Sequence, residues 1–203
     1  MTMFTDVGAF HQKFGIPYVG DGRGAAHWLT SDVLFYRANF LLEELVELGQ
    51  AVTRNDLPGA ADAIIDFGYV AYGTGHLMNI ALPALKQRSR GGAPPRLLDY
   101  DMMLSAFNLA VKLPMAAMLG YVGGGKLTAG MFLENMIEHV VGEMATEMNL
   151  PVEALWNVVH EANMAKERGA TDKRGHQLDV RKPPDWRPPD IEGVLRAHGW
   201  EDE

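Results

Sequence analysis

The residues best equipped for chemistry in this chain are two acidic clusters, Glu43-Glu44-Leu45-Val46-Glu47 and Asp62-Ala63-Ile64-Ile65-Asp66. Carboxylates this closely spaced can ligate a hard divalent cation or move a proton. At about 100° per residue, Leu41, Leu45, Leu48 and Val52 form one apolar stripe on a helix. Glu44 lies inside the edge of that stripe, with Glu47 and Glu43 progressively further round. A second helical stretch repeats the arrangement, with Asp62 and Asp66 among Ile65, Tyr69, Val70 and the small Gly73. An isolated buried carboxylate costs several kcal/mol and normally neutralises, pairs with a cation or binds a metal. Only Arg37 and Arg54 fall on these two stretches, too few to pair the acids. A hard cation is the simplest compensating partner, and all-oxygen ligation points to Mg²⁺, with Mn²⁺ as a substitute. A lone Glu-Glu pair is usually a solvated helix face, but two clusters on the core side of consecutive helices call for more than that.

The elements that must position these acids can be read from punctuation in the sequence. Asn55-Asp56-Leu57-Pro58 is a turn followed by a helix start, so the two acidic helices fold back as an antiparallel hairpin with their carboxylates facing. Ser31 suits the N-cap of the first, which reaches about Arg54; Pro58 suits the first turn of the second, which runs to about Met78. A helix over Thr5 to Phe14 places Phe4, Val7, Phe10 and Phe14 near one face, and a Gly-rich loop follows from Gly15 to Thr30. A long insert at about 80–150 opens with an exposed loop at Arg88 and then gives two helical patterns, about Tyr100 to Leu119 and Thr128 to Met148. Nine of the twelve methionines fall between Met78 and Met148, which suits either a subunit contact or a thickened core. The fold class is therefore all-α: a helical bundle around an antiparallel pair carrying a carboxylate metal site, with an inserted helical pair, all in one domain spanning 1–203.

The chain here resembles the all-α nucleoside triphosphate pyrophosphohydrolases, which include MazG-like proteins, phosphoribosyl-ATP pyrophosphohydrolase and the dimeric dUTPases. Their shared pattern is Glu-Glu-x-x-Glu on one helix and Glu-x-x-Asp on the next, together holding Mg²⁺. Glu43, Glu44 and Glu47 match the first half, and Asp66-Phe67-Gly68-Tyr69 looks like the close of the second. Three residues before Asp66 stands Ala63 rather than Glu, and Asp62, one residue further back on the same face, is the acid able to take its place. Phe10-His11-Gln12-Lys13-Phe14-Gly15 is similar to the family's opening helix, and Val159 to Lys166 to its closing segment. The resemblance implies that Glu44, Glu47, Asp62 and Asp66 are metal ligands. Glu43 and Glu47 would take catalytic roles, Glu43 by orienting or deprotonating water or by supporting a ligand. Asn163 and Lys166 would contact the nucleotide, with Lys173, Arg174 and Lys182 as weaker candidates. The products would be a nucleoside monophosphate and pyrophosphate, from a purine deoxynucleotide such as dGTP in the first instance. Phosphoribosyl-ATP is the alternative substrate, and a noncatalytic nucleotide-binding module the alternative class. The resemblance also implies a homodimer or homotetramer, and a bacterial protein or one encoded by a phage.

Charge supports a polyphosphate ligand. From Lys166 to Arg187 seven Lys or Arg stand against four Asp or Glu, in a chain whose formal net charge is -8. That basic, Pro-rich end, within 167–203, suits a polyphosphate lying over the metal site. Pro183 to Pro189 cannot be helical throughout and would wrap the surface with Trp186 as an apolar anchor. The acidic total argues against a nucleic-acid partner. The absence of cysteine removes disulfides and thiolate chemistry. With no leader and no apolar run long enough for a bilayer, a cytoplasmic location is expected and no membrane partner.

Three other motifs fail on their own chemistry. Gly120 to Lys126 has phosphate-loop spacing, but Leu127 stands where Ser or Thr belongs and a helix, not a strand, precedes it, so a linker between insert helices is expected. His160-Glu161 lacks the second His of a zinc protease, and no histidine has Glu three residues before it, as a di-iron bundle would need. His76 and His160 read as packing residues, while His11 could reach a nucleotide.

Overall fold

Helix α3 (Leu57–Leu77) is the axis of the molecule, because its sequence is apolar or small almost all round and nearly every residue from Ala60 to Leu77 is buried. The computed structural model describes residues 2–22, 29–85, 93–98, 112–169, 176 and 178–202, and for 112–124 the backbone alone. Around α3 pack α1 (Met3–Lys13), α2 (Ser31–Thr53), α4 (Lys112–Ile137) with its π-helical continuation Glu138–Met144, α5 (Val152–Met164) and the short α6 (Ile191–Ala197). A last α-turn, Ala145–Glu147, closes the π-helical stretch. The only strands among the described residues are β1 (Glu167–Arg168) and β2 (Val180–Arg181), paired antiparallel with Glu167 opposite Arg181. The fold is all-α, as the helical periodicities require.

The closest helix pair is the expected hairpin of α2 and α3. Asn55 turns the chain with φ 59°, and Asp56 caps α3 by accepting from Gly59 N–H at 2.8 Å, ahead of Pro58 in the first turn. The cap of α2 is Thr30 rather than Ser31: its hydroxyl accepts from Val33 N–H at 3.3 Å, and Ser31 is the first helical residue. Both are hydroxyl residues, so composition alone could not choose between them. Leu41, Leu45 and Leu48 of α2 and Ile64, Ile65, Phe67 and Tyr72 of α3 are fully buried at the centre. Gly68 lets α3 approach the π-helical segment, since a Cβ there would lie 2.9 Å from Val141 Cγ2.

The insert is more continuous than its glycines imply. The chain stays helical through Gly120 to Gly124, and the break is confined to Gly125, at φ 73° and ψ −166°. The expected linker is thus a one-residue kink, because glycine lowers helix propensity without forbidding helix where packing supports it. Much of the pattern at Tyr100 to Leu119 lies outside the described residues. Met78, Met136, Met144 and Met148 are buried in the core while Met131 is exposed, so the described methionines mainly thicken the core. No helix among the described residues is long and apolar enough to cross a membrane.

Candidate functional site

A cavity of about 670 Å³ runs along the α2–α3 hairpin, and its two ends differ in chemistry. Glu44 and Glu47 from α2 and Asp62 and Asp66 from α3 line one end. Glu44 is buried, Glu47 exposed, and both aspartates are half-buried. The other end is made by Phe10 and His11 of α1, Tyr36, Arg37 and Phe40 of α2, and Tyr69 and Gly73 of α3. Arg37 to Glu44, and Asp66 to Gly73, are each seven residues, two turns of helix, so the ends are separated by about 10 Å along the hairpin. Antiparallel pairing puts the acidic half of α2 beside the acidic half of α3, which is why four carboxylates share one end.

Lysines and an amide border the carboxylates. At the end of α5, Asn163 is buried, and its Oδ1 accepts from Lys166 Nζ at 2.6 Å. Trp186 closes over this corner: its Nε1–H donates to the Ala162 carbonyl at 2.8 Å, Lys182 Nζ sits 4.1 Å from its ring centroid, and Lys166 Nζ 5.9 Å. Asn163, Lys166, Arg181 and Lys182 all line the cavity. Arg181 also faces Glu167 across the strand pair at 3.3 Å. The C-terminal segment thus comes back over the site, with Trp186 as a half-buried anchor.

The electrostatics mark Asp62. Burial, and then the charges of Asp66 and Glu47, push its carboxyl up from 3.8 to about 7, against the opposing pull of Lys166 and Lys182. Its Oδ1 is buried without a hydrogen-bond partner among the described residues. An orphaned carboxylate oxygen beside two further acids is chemistry a divalent cation would satisfy. Among the described residues no three acids or histidines gather tightly enough to form a ready ligand cluster. That arrangement fits Mg²⁺, which commonly takes one or two carboxylates and fills its remaining positions with water and substrate phosphate.

Several expected residues fall elsewhere or beyond view. Glu43, the outermost of its cluster by helix angle, is half-buried and does not line the cavity, whereas Glu47 is the exposed one. The angular reading referred to a single apolar stripe, but α2 packs against both α3 and α4, so a residue off the stripe can still be covered. Lys173 and Arg174 lie outside the described residues. His160 accepts or donates at 3.0 Å with the Tyr69 hydroxyl, and His76 bonds the Phe4 carbonyl at 2.9 Å while stacking on its ring, both packing roles. His11 does line the cavity.

The sequence reading missed Tyr36, Phe40, Asp179 and Arg181 at the site and counted Arg37 only as a scarce cation. For Arg37 a signal existed, since it precedes Glu44 by seven residues and so shares its face. Its Nε donates to Thr74 Oγ1 at 3.0 Å and its Nη2 to the Val70 carbonyl, fixing it on α3. Asp179 is buried and accepts from the Tyr36 hydroxyl at 2.6 Å, a contact across the fold that no local pattern announces.

Fold and site together define an all-helical protein with a cavity acidic at one end, basic along its rim and aromatic at the other. Residues 7–88, which include α1, α2 and α3, match the family model for phosphoribosyl-ATP pyrophosphohydrolase, within the all-α nucleoside triphosphate pyrophosphohydrolase superfamily. At that level the match indicates a hydrolase of pyrophosphate bonds in nucleotides. No curated protein and no solved structure matches the chain.

Proposed function

We propose that this chain is a Mg²⁺-dependent nucleoside triphosphate pyrophosphohydrolase, converting a ribo- or deoxynucleoside triphosphate and water into the monophosphate and pyrophosphate. The observation that carries the reading is the two-ended cavity: four carboxylates and two lysines at one end, aromatic rings about 10 Å away at the other. A triphosphate attached to a base needs both environments at such a separation. Glu44, Glu47, Asp62 and Asp66 would hold Mg²⁺, with Mn²⁺ a substitute, and the metal would neutralise phosphate charge and activate water. Lys166 and Lys182 would take the non-bridging phosphate oxygens, and Asn163 would steady Lys166 through the contact they already make. Water adds to the α-phosphorus, the α–β anhydride bond breaks, and pyrophosphate leaves with the bond's electron pair. Glu47, exposed to the cavity, is placed to receive the water's proton. Glu43, away from the lining, would act only by supporting a neighbouring carboxylate.

Phosphoribosyl-ATP is the second reading, favoured by the family model that residues 7–88 match. A purine deoxynucleotide such as dGTP is the first substrate to try. The deciding experiment is pyrophosphate release by purified protein with Mg²⁺ or Mn²⁺ across the eight common ribo- and deoxynucleoside triphosphates and phosphoribosyl-ATP. Chelator-sensitive release from a triphosphate supports the first reading. Release from phosphoribosyl-ATP alone supports the second, and silence with intact nucleotide binding would leave a noncatalytic module.

A further inference from the structure

His11 carries a hydrogen-bonding atom that the chemistry at the acidic end does not use. The side chain is only 3% exposed, yet it lines the cavity at its aromatic end. Its Nδ1 lies 2.7 Å from the Pro17 carbonyl. A carbonyl oxygen only accepts, so Nδ1 must carry the proton, and in the neutral ring Nε2 is then an acceptor. Burial pulls the ring's pKa down to about 3, so this tautomer persists at any working pH. No described residue donates to Nε2.

The surroundings say what kind of group would donate. A Cβ on Gly73 would lie 3.1 Å from His11 Nε2 and 3.0 Å from Arg37 Nη2, so the missing side chain opens a gap onto which a fixed acceptor and a fixed cation both border. Phe10, Tyr36, Phe40 and Tyr69 supply aromatic walls to the same end. A flat, aromatic group with an N–H on its edge fits that combination, whereas a phosphate or a sugar, rich in acceptors and without a stacking face, does not.

Resting on the proposed reading of the cavity as a nucleotide site, we infer that the gap at Gly73 is the nucleobase subsite and that His11 Nε2 accepts a hydrogen bond from an N–H on the base's pairing edge. His11 is thus a specificity-determining residue, fixed by Pro17, rather than a packing histidine like His76. The inference holds for a nucleoside triphosphate and for phosphoribosyl-ATP alike, since both present a base with such a donor.

The test compares wild type with His11→Phe, which keeps an aromatic ring and removes the acceptor. Two substrates are used: the best one of the panel, and purine riboside 5′-triphosphate, whose pairing edge carries no N–H. Removal of one buried hydrogen bond should lower kcat/KM for the best substrate about tenfold in the variant. Purine riboside triphosphate should be a poorer substrate of the wild type and be handled alike by both proteins. Equal loss on both substrates, or none on either, would overturn the inference while leaving the proposed activity standing. Should the variant fail to fold, equal use of the two substrates by wild type would overturn it as well. If wild type neither binds nor cleaves any nucleotide of the panel, the proposed function itself fails and the inference with it.

Discussion

Arg37 and Glu44 stand two turns apart on one face of α2, both buried and both on the cavity wall, one at the aromatic end and one at the acidic end. A single helix face therefore sets the distance between a base-type and a metal-type environment. The corresponding pair on α3, Gly73 and Asp66, repeats the spacing, so the hairpin fixes the length of ligand the cavity accepts.

Glu47 is exposed to the cavity and contributes nothing to the core. Glu47→Gln should keep the fold, with a thermal midpoint within a few degrees of wild type, and lower metal-dependent pyrophosphate release by roughly 100-fold or more. Retention of full activity in that variant would remove Glu47 from the site.

Glu43 differs in being half-buried and off the lining. Glu43→Gln is expected to reduce turnover less than Glu47→Gln, by roughly 10-fold, as the loss of support to a neighbouring acid would. The comparison of the two kcat values at saturating Mg²⁺ decides it; a larger loss at position 43 would place that carboxylate in direct contact with the reacting water.

In metal-free protein, Asp62 holds its proton up to about pH 7, against 3.8 ordinarily. Between those values the folded chain binds a proton that the unfolded chain has released, so the contribution of Asp62 to stability is fully present below about pH 4 and lost as pH rises through about 7. Denaturant midpoints of chelator-treated protein should therefore fall between about pH 5 and about pH 8, and fall less in Asp62→Asn. Identical slopes in the two proteins would show that Asp62 is not the titrating group.

Trp186 holds Lys182 under its ring and is itself tied to the Ala162 carbonyl. Trp186→Ala should raise KM for the nucleotide several-fold with kcat little changed, because it frees a phosphate-binding lysine rather than removing a reacting group. The same substitution made on a Lys182→Ala background should then have little further effect. Fully additive losses in that double-mutant cycle would mean the tryptophan acts elsewhere. Lys166→Ala should likewise raise KM while leaving metal binding intact.

The sequence determined the all-α class, the α2–α3 hairpin and the acids that line it, because each depends on local rules. Glu44, Glu47, Asp62 and Asp66 announce themselves by spacing along helices whose apolar stripes orient them, and Asp56 and Pro58 announce the turn between. Asn163, Lys166 and Lys182 were named from family resemblance, and the structure brings all three to the same cavity.

Only the tertiary structure decided the rest, since it depends on which distant surfaces meet. Helix angle put Glu43 furthest from the core, but packing of α2 against two neighbours covered it and left Glu47 open. The aromatic end joins α1, α2 and α3, and no single segment holds enough of it to leave a periodic trace. His11 looked like one buried histidine among several until Pro17 fixed its tautomer and Gly73 left room in front of it. Side-chain identity sets what a residue can donate or accept; only the folded chain sets whether anything stands where it could be used.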